Sequence, residues 1–391
     1  MTTDDQYMRK ALDLARAGVG LVSPNPAVGA VVVDASGREV GAGTHTYEGV
    51  KHAEVLALEQ AGSRARGATL YLNLEPCSHH GRTGPCADAV IAAGISRVVC
   101  SMQDPNPRVA GQGFARLRAS GIKVEVGLLE LEAKKLNESF AKYIRQGKPL
   151  VTLKSAMTLD GKIADATKPG TDRSSESQSP TPATEGSRSG YHWITGEVAR
   201  AHVQQLRHQS DAILAGVGTV LADDPLLTDR SALPRRRKLL RVILDSYLRI
   251  PLTARLVQTA DNDVLVLYSK AEAETRQALE AKGIRVQQIS ATADGRPDFA
   301  QIVRSLGELE VTSLLIEGGS LVNGAVLASG EVDKVFLYYA PKFFGGEAVP
   351  FIGESLHGKA QCVRRFELHR FGEDFAVEGY LRDPYSQIVT S

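Results

Sequence analysis

The chain opens on an amphipathic repeat, with Tyr7, Met8, Ala11, Leu12 and Ala15 at the three- and four-residue spacing of one helix face. Beyond it, short continuous apolar runs alternate with helix-like periodic stretches. Ala27 to Asp34 reads as a buried β-branched strand, His52 to Gly62 as a helix, Ala68 to Leu74 as a strand, Cys86 to Ala93 as a helix and Arg97 to Met102 as a strand. Gly111 to Gly121 and Leu129 to Arg145 are expected to be two further helices, the second long enough to close the unit. Apolar runs bounded by turns and separated by helices predict strands covered on both faces, hence an α/β layer sandwich over residues 1–147.

Gln146-Gly147-Lys148-Pro149 breaks the pattern and is the expected linker. A second α/β unit over residues 148–391 then starts with the strand Leu150 to Ala156. Further strands are expected at Asp211 to Ala215, Leu239 to Leu244, Val264 to Tyr268, Arg285 to Ile289 and Ser313 to Ile316, with helices such as Glu197 to His208 and Ala271 to Lys282 between them. Val332 to Ala340, Arg364 to His369 and Phe375 to Tyr380 read as closing antiparallel strands, which predicts a mixed sheet. Thr167 to Gly190 is rich in Ser, Thr, Pro and Gly and is expected to be a mobile insertion. No internal repeat is visible.

A length of 391 residues exceeds one ordinary core and fits two domains. The 46 basic and 45 acidic side chains leave a net charge of +1, so no global field favours nucleic acid or an anionic membrane. Any anionic substrate must meet a local cluster instead. Cys77, Cys86, Cys100 and Cys362 are too few for a disulfide framework, and a cytoplasmic setting is expected. Met1 to Asp5 leads into the amphipathic repeat without an apolar signal core, and no apolar run approaches the roughly 18 residues that span a bilayer. Neither export nor a membrane role is expected.

Chemistry enters with His52-Ala53-Glu54, then Pro76-Cys77, then Cys86. A lone histidine or a pair of cysteines would serve packing equally well. Together they supply three soft ligands and one carboxylate outside the set, which is what a metal-activated water requires: an open fourth position on zinc and a group to carry the proton. His52, Cys77 and Cys86 are the candidate ligands and Glu54 the candidate acid/base. Cys100, in an apolar strand, and Cys362, far from any motif, read as structural. His-x-Glu followed by Pro-Cys resembles the nucleobase deaminases. Eight residues separate Cys77 from Cys86, where that pattern has two.

The wider context narrows the resemblance. Pro24-Asn25-Pro26-Ala27-Val28-Gly29, the segment from Glu75 through Ser78-His79-His80-Gly81-Arg82-Thr83, and Asp104-Pro105-Asn106-Pro107 resemble the deaminase half of the bifunctional riboflavin-biosynthesis family. The family pattern usually has Pro at the position of Gly84. The insert between the thiolates carries imidazoles and a guanidinium suited to a phosphorylated sugar, and His79 or His80 could replace a ligand. Asn25 can hydrogen-bond a pyrimidine edge, or it is simply a Pro-flanked turn residue.

In the second half, Gly216-Val217-Gly218 lacks the third glycine of a Rossmann fingerprint, and Glu317-Gly318-Gly319-Ser320 is a strand-to-helix turn. By themselves these are phosphate cradles or merely tight connections. In order and spacing they resemble the family's dihydrofolate-reductase-like half, which uses NADPH. That resemblance implies cofactor contacts at Ser155, Trp193, Thr219, Asp223, Ser246, Gly319, Ser320, Leu321, Val322, Asn323, Gly324 and Ala325. It implies substrate contacts at Arg207, Leu227, Arg230 and Glu317.

Arg207 and Arg230 are expected to clamp a sugar phosphate, and either Lys154 or Glu317 to supply the proton. Tyr191 departs from a small Ser that is common in the family. The whole implies a cytidine-deaminase-like three-layer domain followed by a reductase domain, with Zn2+ and NADPH, a small-molecule substrate and a homo-oligomer, and no nucleic-acid or membrane partner. A nucleoside or tRNA deaminase with a non-catalytic second half is the rival, and a half that only binds ligand is another.

Overall fold

The computed structural model describes residues 2–79, 84–165, 193–292, 295–353 and 360–386. The expected insertion Thr167 to Gly190, Tyr191, and His80 to Thr83 of the thiolate insert lie outside the described residues. In chain order the first elements are α1 (Thr3–Ala17), β1 (Gly29–Val33), β2 (Glu39–Thr44), α2 (Ala53–Ala61), β3 (Thr69–Leu74), α3 (Cys86–Ala92) and β4 (Arg97–Met102). They continue with α4 (Gln112–Ala119), β5 (Lys123–Val126), α5 (Glu130–Leu136) and α6 (Glu138–Gln146).

The five strands form one sheet in the order β2-β1-β3-β4-β5, with β1 antiparallel to both neighbours and β3, β4 and β5 parallel. Helices α1 and α5 cover one face and α2, α3 and α4 the other, giving three layers. Helix α1 buries Met8, Ala11, Leu12 and Ala15, the stripe its spacing predicts.

Two strands of this sheet, β2 and β5, were not expected from the sequence. Strand β2 has few β-branched residues, because Gly41 and Gly43 lie directly under α2; a Cβ there would come within 2.0 Å of the Ala57 carbonyl and 2.2 Å of the Ala53 carbonyl. Strand β5 is a four-residue edge with partly exposed side chains. The single helix expected over Leu129 to Arg145 is two, broken at Asn137, whose buried side chain is bonded to the backbone of Ala27.

The remaining elements are β6 (Leu150–Thr158), β7 (Lys162–Ala164), α7 (Glu197–His208), β8 (Ala212–Gly216), α8 (Val217–Asp223), β9 (Leu240–Leu244), α9 (Arg255–Gln258), β10 (Val264–Tyr268) and α10 (Ala273–Glu280). They end with β11 (Arg285–Gln288), α11 (Phe299–Glu308), β12 (Ser313–Ile316), α12 (Ser320–Ala328), β13 (Lys334–Ala340), β14 (Val349–Pro350), β15 (Arg364–Phe371) and β16 (Asp374–Tyr380).

Nine strands make a second sheet in the order β11-β10-β9-β8-β12-β6-β13-β16-β15. It is mixed, as expected, but β13 runs parallel to β6 and only β16 and β15 are antiparallel to their neighbours. The strand expected over Val332 to Ala340 is antiparallel to β16, as expected, but parallel to β6 on its other side: α12 crosses the sheet before β13, and such a crossover returns the chain in the same direction.

The two halves meet along a charged seam. Lys142 of α6 lies 2.9 Å from Asp333, and the two side chains are 4% and 0% exposed. Lys135 of α5 is 2.8 Å from Glu378, and Lys334 pairs with both Glu138 and Glu378. No helix among the described residues is long and apolar enough to cross a membrane.

Candidate active sites

His52 is the residue that caps the start of α2, and Cys86 is the first residue of α3, so two of the three expected ligands sit at helix N-termini. Strand β3 delivers the third, Cys77, from the adjoining loop. His52 Nδ1 is 3.1 Å from Cys86 Sγ and 3.6 Å from Cys77 Sγ, and the Cys86 backbone N–H donates to Cys77 Sγ at 3.3 Å. The three donor atoms all lie within 4.8 Å of one another, a span that suits one tetrahedral ion with bonds of about 2.0–2.3 Å.

A hydrogen bond from Cys86, and then one from His52, holds the Cys77 thiol well below the usual thiol range, while the adjacent Cys77 sulfur pushes Cys86 up. His52 is raised, chiefly by its bond to Cys77. Glu54, in the first turn of α2, is buried, and burial pushes its carboxyl up to about 7. Its Oε2 has no hydrogen-bond partner among the described residues. A dry carboxyl with an unfilled acceptor beside three metal-ligating atoms is a fit for zinc with a proton carrier.

Asn25 reaches this cluster through His45: its Nδ2 is 3.1 Å from His45 Nε2, and the His45 ring meets the His52 ring edge-on at 5.2 Å. His79 is exposed. Cys100 is buried in β4, and Cys362 is exposed.

Three residues to which the sequence reading gave no role hold the site. Glu75 accepts from the backbone N–H groups of Asp104, Gly111, Gly113 and Phe114, tying the turn before Cys77 to the start of α4. Asn73 takes the Gly29 N–H at 2.9 Å and donates to the Ala27 carbonyl at 2.9 Å. Asn137 takes the Ala27 N–H at 2.9 Å and donates to the same carbonyl at 3.1 Å. A carboxylate or amide that ends an apolar strand or interrupts a helix is the sequence signal for such braces.

Asn137→Ala leaves the buried Ala27 amide unpaired, so it is expected to lower stability by about 1–3 kcal/mol. A shift of the urea midpoint checks this, and an unmoved midpoint refutes the brace.

The second site gathers at the carboxyl ends of β9, β8, β12 and β6, where ligands of open α/β sheets bind. Glu317 follows β12. Arg207 of α7 grips it through Nε at 2.7 Å and Nη2 at 3.1 Å, and Lys154 Nζ of β6 lies 3.3 Å away. Burial pushes the Glu317 carboxyl up, but Lys154 and Arg207 outweigh it and hold it at about 2. Arg207 Nη1 also donates to the Thr228 carbonyl at 2.9 Å, which brings the loop of Leu227 and Arg230 alongside. The expected clamp therefore differs: the Arg207 fork is engaged by Glu317, whereas Arg230 is exposed.

Among the expected cofactor residues, Thr219 and Gly319 come together, since a Cβ on Gly319 would lie 3.8 Å from Thr219 Oγ1. Gly216 and Gly318 sit so close to Val322 that a Cβ on either would approach it to 2.7 Å. Ser320 Oγ and Asn323 Oδ1, at the start of α12, are buried without hydrogen-bond partners among the described residues, and the positive end of the helix lies there. Leu321, Gly324 and Ala325 continue the same helix. Ser155 is buried on β6, and Ser246 follows β9 with its carbonyl bonded to the N–H groups of Ser269 and Lys270. Trp193 is exposed with the Arg200 guanidinium over its ring at 5.0 Å, and Asp223 is exposed at the end of α8. The Ser320 hydroxyl and the backbone N–H groups that open α12 are donors that fit a phosphate-bearing dinucleotide.

Two family models match: the cytidine and deoxycytidylate deaminase zinc-binding region over residues 1–102, and the RibD C-terminal domain over residues 149–377. The riboflavin biosynthesis protein RibD of Aquifex aeolicus is 40% identical over 375 residues, spanning 96% of this chain and 97% of that protein. The RibD protein of Escherichia coli is 42% identical, with 88% and 89% covered. Among solved structures, Acinetobacter baumannii RibD superposes with a TM-score of 0.77 at 35% identity, covering 97% of this chain and 98% of the other. A diaminohydroxyphosphoribosylaminopyrimidine deaminase/5-amino-6-(5-phosphoribosylamino)uracil reductase from Thermotoga maritima does so at 0.75 and 35%, with 97% and 98% covered.

Proposed function

Because this chain belongs to the RibD family, a zinc-dependent deaminase and a nicotinamide-dependent reductase of riboflavin biosynthesis in one polypeptide, we infer that its two sites divide the work by half. Residues 1–147 deaminate 2,5-diamino-6-(5-phosphoribosylamino)pyrimidin-4(3H)-one, and residues 148–391 reduce the ribosyl group of 5-amino-6-(5-phosphoribosylamino)uracil to ribityl. The observation that carries this is the pairing of a three-ligand cluster beside a dry carboxyl with a separate cationic pocket around Glu317.

In the first site His52, Cys77 and Cys86 hold the metal. Zinc bound there supplies a Lewis acid that makes water nucleophilic near neutrality. Glu54, with a carboxyl poised near about 7, takes the proton from the attacking water and returns it to the departing amine. Asn25 orients the pyrimidine edge.

In the second site Ser155, Trp193, Thr219, Asp223, Ser246 and the segment Gly319 to Ala325 hold NADPH, whose nicotinamide supplies hydride. Leu227 and Arg230 meet the substrate and Arg207 fixes Glu317. The carboxylate of Glu317 is ionised at neutral pH and has no proton to give. Lys154, hydrogen-bonded to it, delivers the proton to the sugar oxygen. A cytoplasmic homo-oligomer completes the reading. The match to a reductase domain over residues 149–377 leaves the rival of a deaminase with a non-catalytic second half without support.

The test follows ammonia release from the diaminopyrimidine phosphate and, separately, NADPH oxidation by its deaminated product. Activity only on cytidine or an RNA hairpin would overturn the reading. Cys77→Ala is expected to abolish stoichiometric zinc and deamination while sparing reduction. Retained zinc, measured by metal analysis, would move the ligand to His79 or His80.

A further inference from the structure

The segment between α1 and Asn25 is fastened to the other half of the molecule. Gly20, with φ at +83°, faces His208 and Pro234 so closely that a Cβ would lie 2.7 Å from the imidazole and 3.1 Å from the Pro234 carbonyl. Its own carbonyl accepts the Arg236 N–H at 2.8 Å. The Arg236 guanidinium lies 4.0 Å over the Tyr47 ring, and the Tyr47 N–H is bonded to the Leu21 carbonyl. Ser23 Oγ accepts from Arg237 Nη2 at 3.0 Å and donates to Asp211 Oδ2 at 2.7 Å. Asp211 Oδ2 also accepts from the N–H and hydroxyl of Thr312, each at 2.8 Å. These contacts border a cleft of about 780 Å³ between the halves, which Asn25 also lines.

The fastening loop is the one that carries Leu227 and Arg230. Arg235 Nη1 is 2.9 Å from Asp229 Oδ2, and His208 Nδ1 is 3.2 Å from the same oxygen. Two residues beyond Ser23, Asn25 contacts His45, which touches His52. A substrate contact placed by a loop is only as well fixed as the loop, and a displacement of about 1 Å at a binding group is enough to weaken a reaction severely. Asparagines 73 and 137 brace Ala27 and Gly29 from inside the first half, but residues 20–23 take their side-chain anchor from the second.

We propose that Arg237, through Ser23, is a positioning residue for deamination: the reductase half sets the place of Asn25 in the deaminase site. This rests on the reading of Asn25 as a contact to the pyrimidine. Arg237 touches neither the zinc cluster nor the Glu317 pocket, so its loss leaves metal content and reduction alone.

The experiment compares Arg237→Ala, Arg237→Lys, Ser23→Ala and Asn25→Ala in the full-length zinc-loaded protein. Arg237→Ala and Ser23→Ala are expected to raise the deaminase KM about ten-fold with kcat within about two-fold, as for lost uniform binding. Arg237→Lys, which keeps a donor for Ser23, is expected to recover most of the difference. In an Asn25→Ala background the Arg237→Ala effect should vanish. An unchanged KM in Arg237→Ala, beside a raised KM in Asn25→Ala, overturns the proposal alone. A flat KM in Asn25→Ala removes the substrate contact and the proposal with it. Equal loss of both activities, with lost zinc, would reduce the contact to a fold brace and equally overturn the proposal.

Discussion

Glu54→Gln is expected to keep stoichiometric zinc and lose deamination by about 10²–10⁴-fold in kcat, the usual worth of a placed acid/base group. The amide is nearly isosteric with the carboxyl and leaves His52, Cys77 and Cys86 untouched. It cannot accept and return a proton. Burial pushes the Glu54 carboxyl up from the usual carboxylate range toward neutrality, which suits a group that must both take and return a proton. Metal analysis with single-turnover ammonia release separates the outcomes: full zinc with full activity would remove Glu54 from the chemistry. NADPH oxidation by the same variant should be unaltered.

The second large effect is at Glu317. Glu317→Ala leaves Arg207 and Lys154 facing an empty position in a site where all three side chains are mostly shielded, at 11%, 13% and 14% exposed for arginine, lysine and glutamate respectively. Removing one partner from a buried ionic group costs about 3–5 kcal/mol, most of it the penalty for the charges left behind. Reduction should disappear, because Arg207 no longer has an anchor and Lys154 no longer has a fixed direction.

The sign with pH follows from the depressed carboxyl. Its stabilising share is complete above the unfolded value of 4.5 and is lost as pH falls toward about 2. Wild-type protein should therefore lose a part of its stability across that window that Glu317→Gln does not lose. Acid titrations followed by circular dichroism check this, and an equal loss of stability in the two proteins across that window would refute the assignment.

Much of this was readable in advance, for a physical reason. Ligands for one ion must converge, and the helix starts at His52 and Cys86 are visible as breaks in periodicity. Their spacing around a Pro-Cys turn is hard to explain by packing. The parallel core strands are nearly pure apolar runs, which sequence shows plainly. Strand β2 was hidden because its glycines serve the helix above it rather than the sheet. The split between α5 and α6 was hidden because Asn137 breaks the helix in favour of a partner 110 positions away in the sequence. Glu75 stood inside a recognisable motif, yet the four amides it serves come from a different loop and helix. Arg207 had the right type for a phosphate, but which anion it faces is decided by where β12 ends.

The seam of lysines and carboxylates has a consequence for how the molecule comes apart. Asp333 lies fully covered against Lys142, so separating the halves would strand each charge on a surface built to meet the other. One calorimetric unfolding transition for the whole chain, rather than one per half, is therefore the expected outcome, and two resolved transitions would refute it.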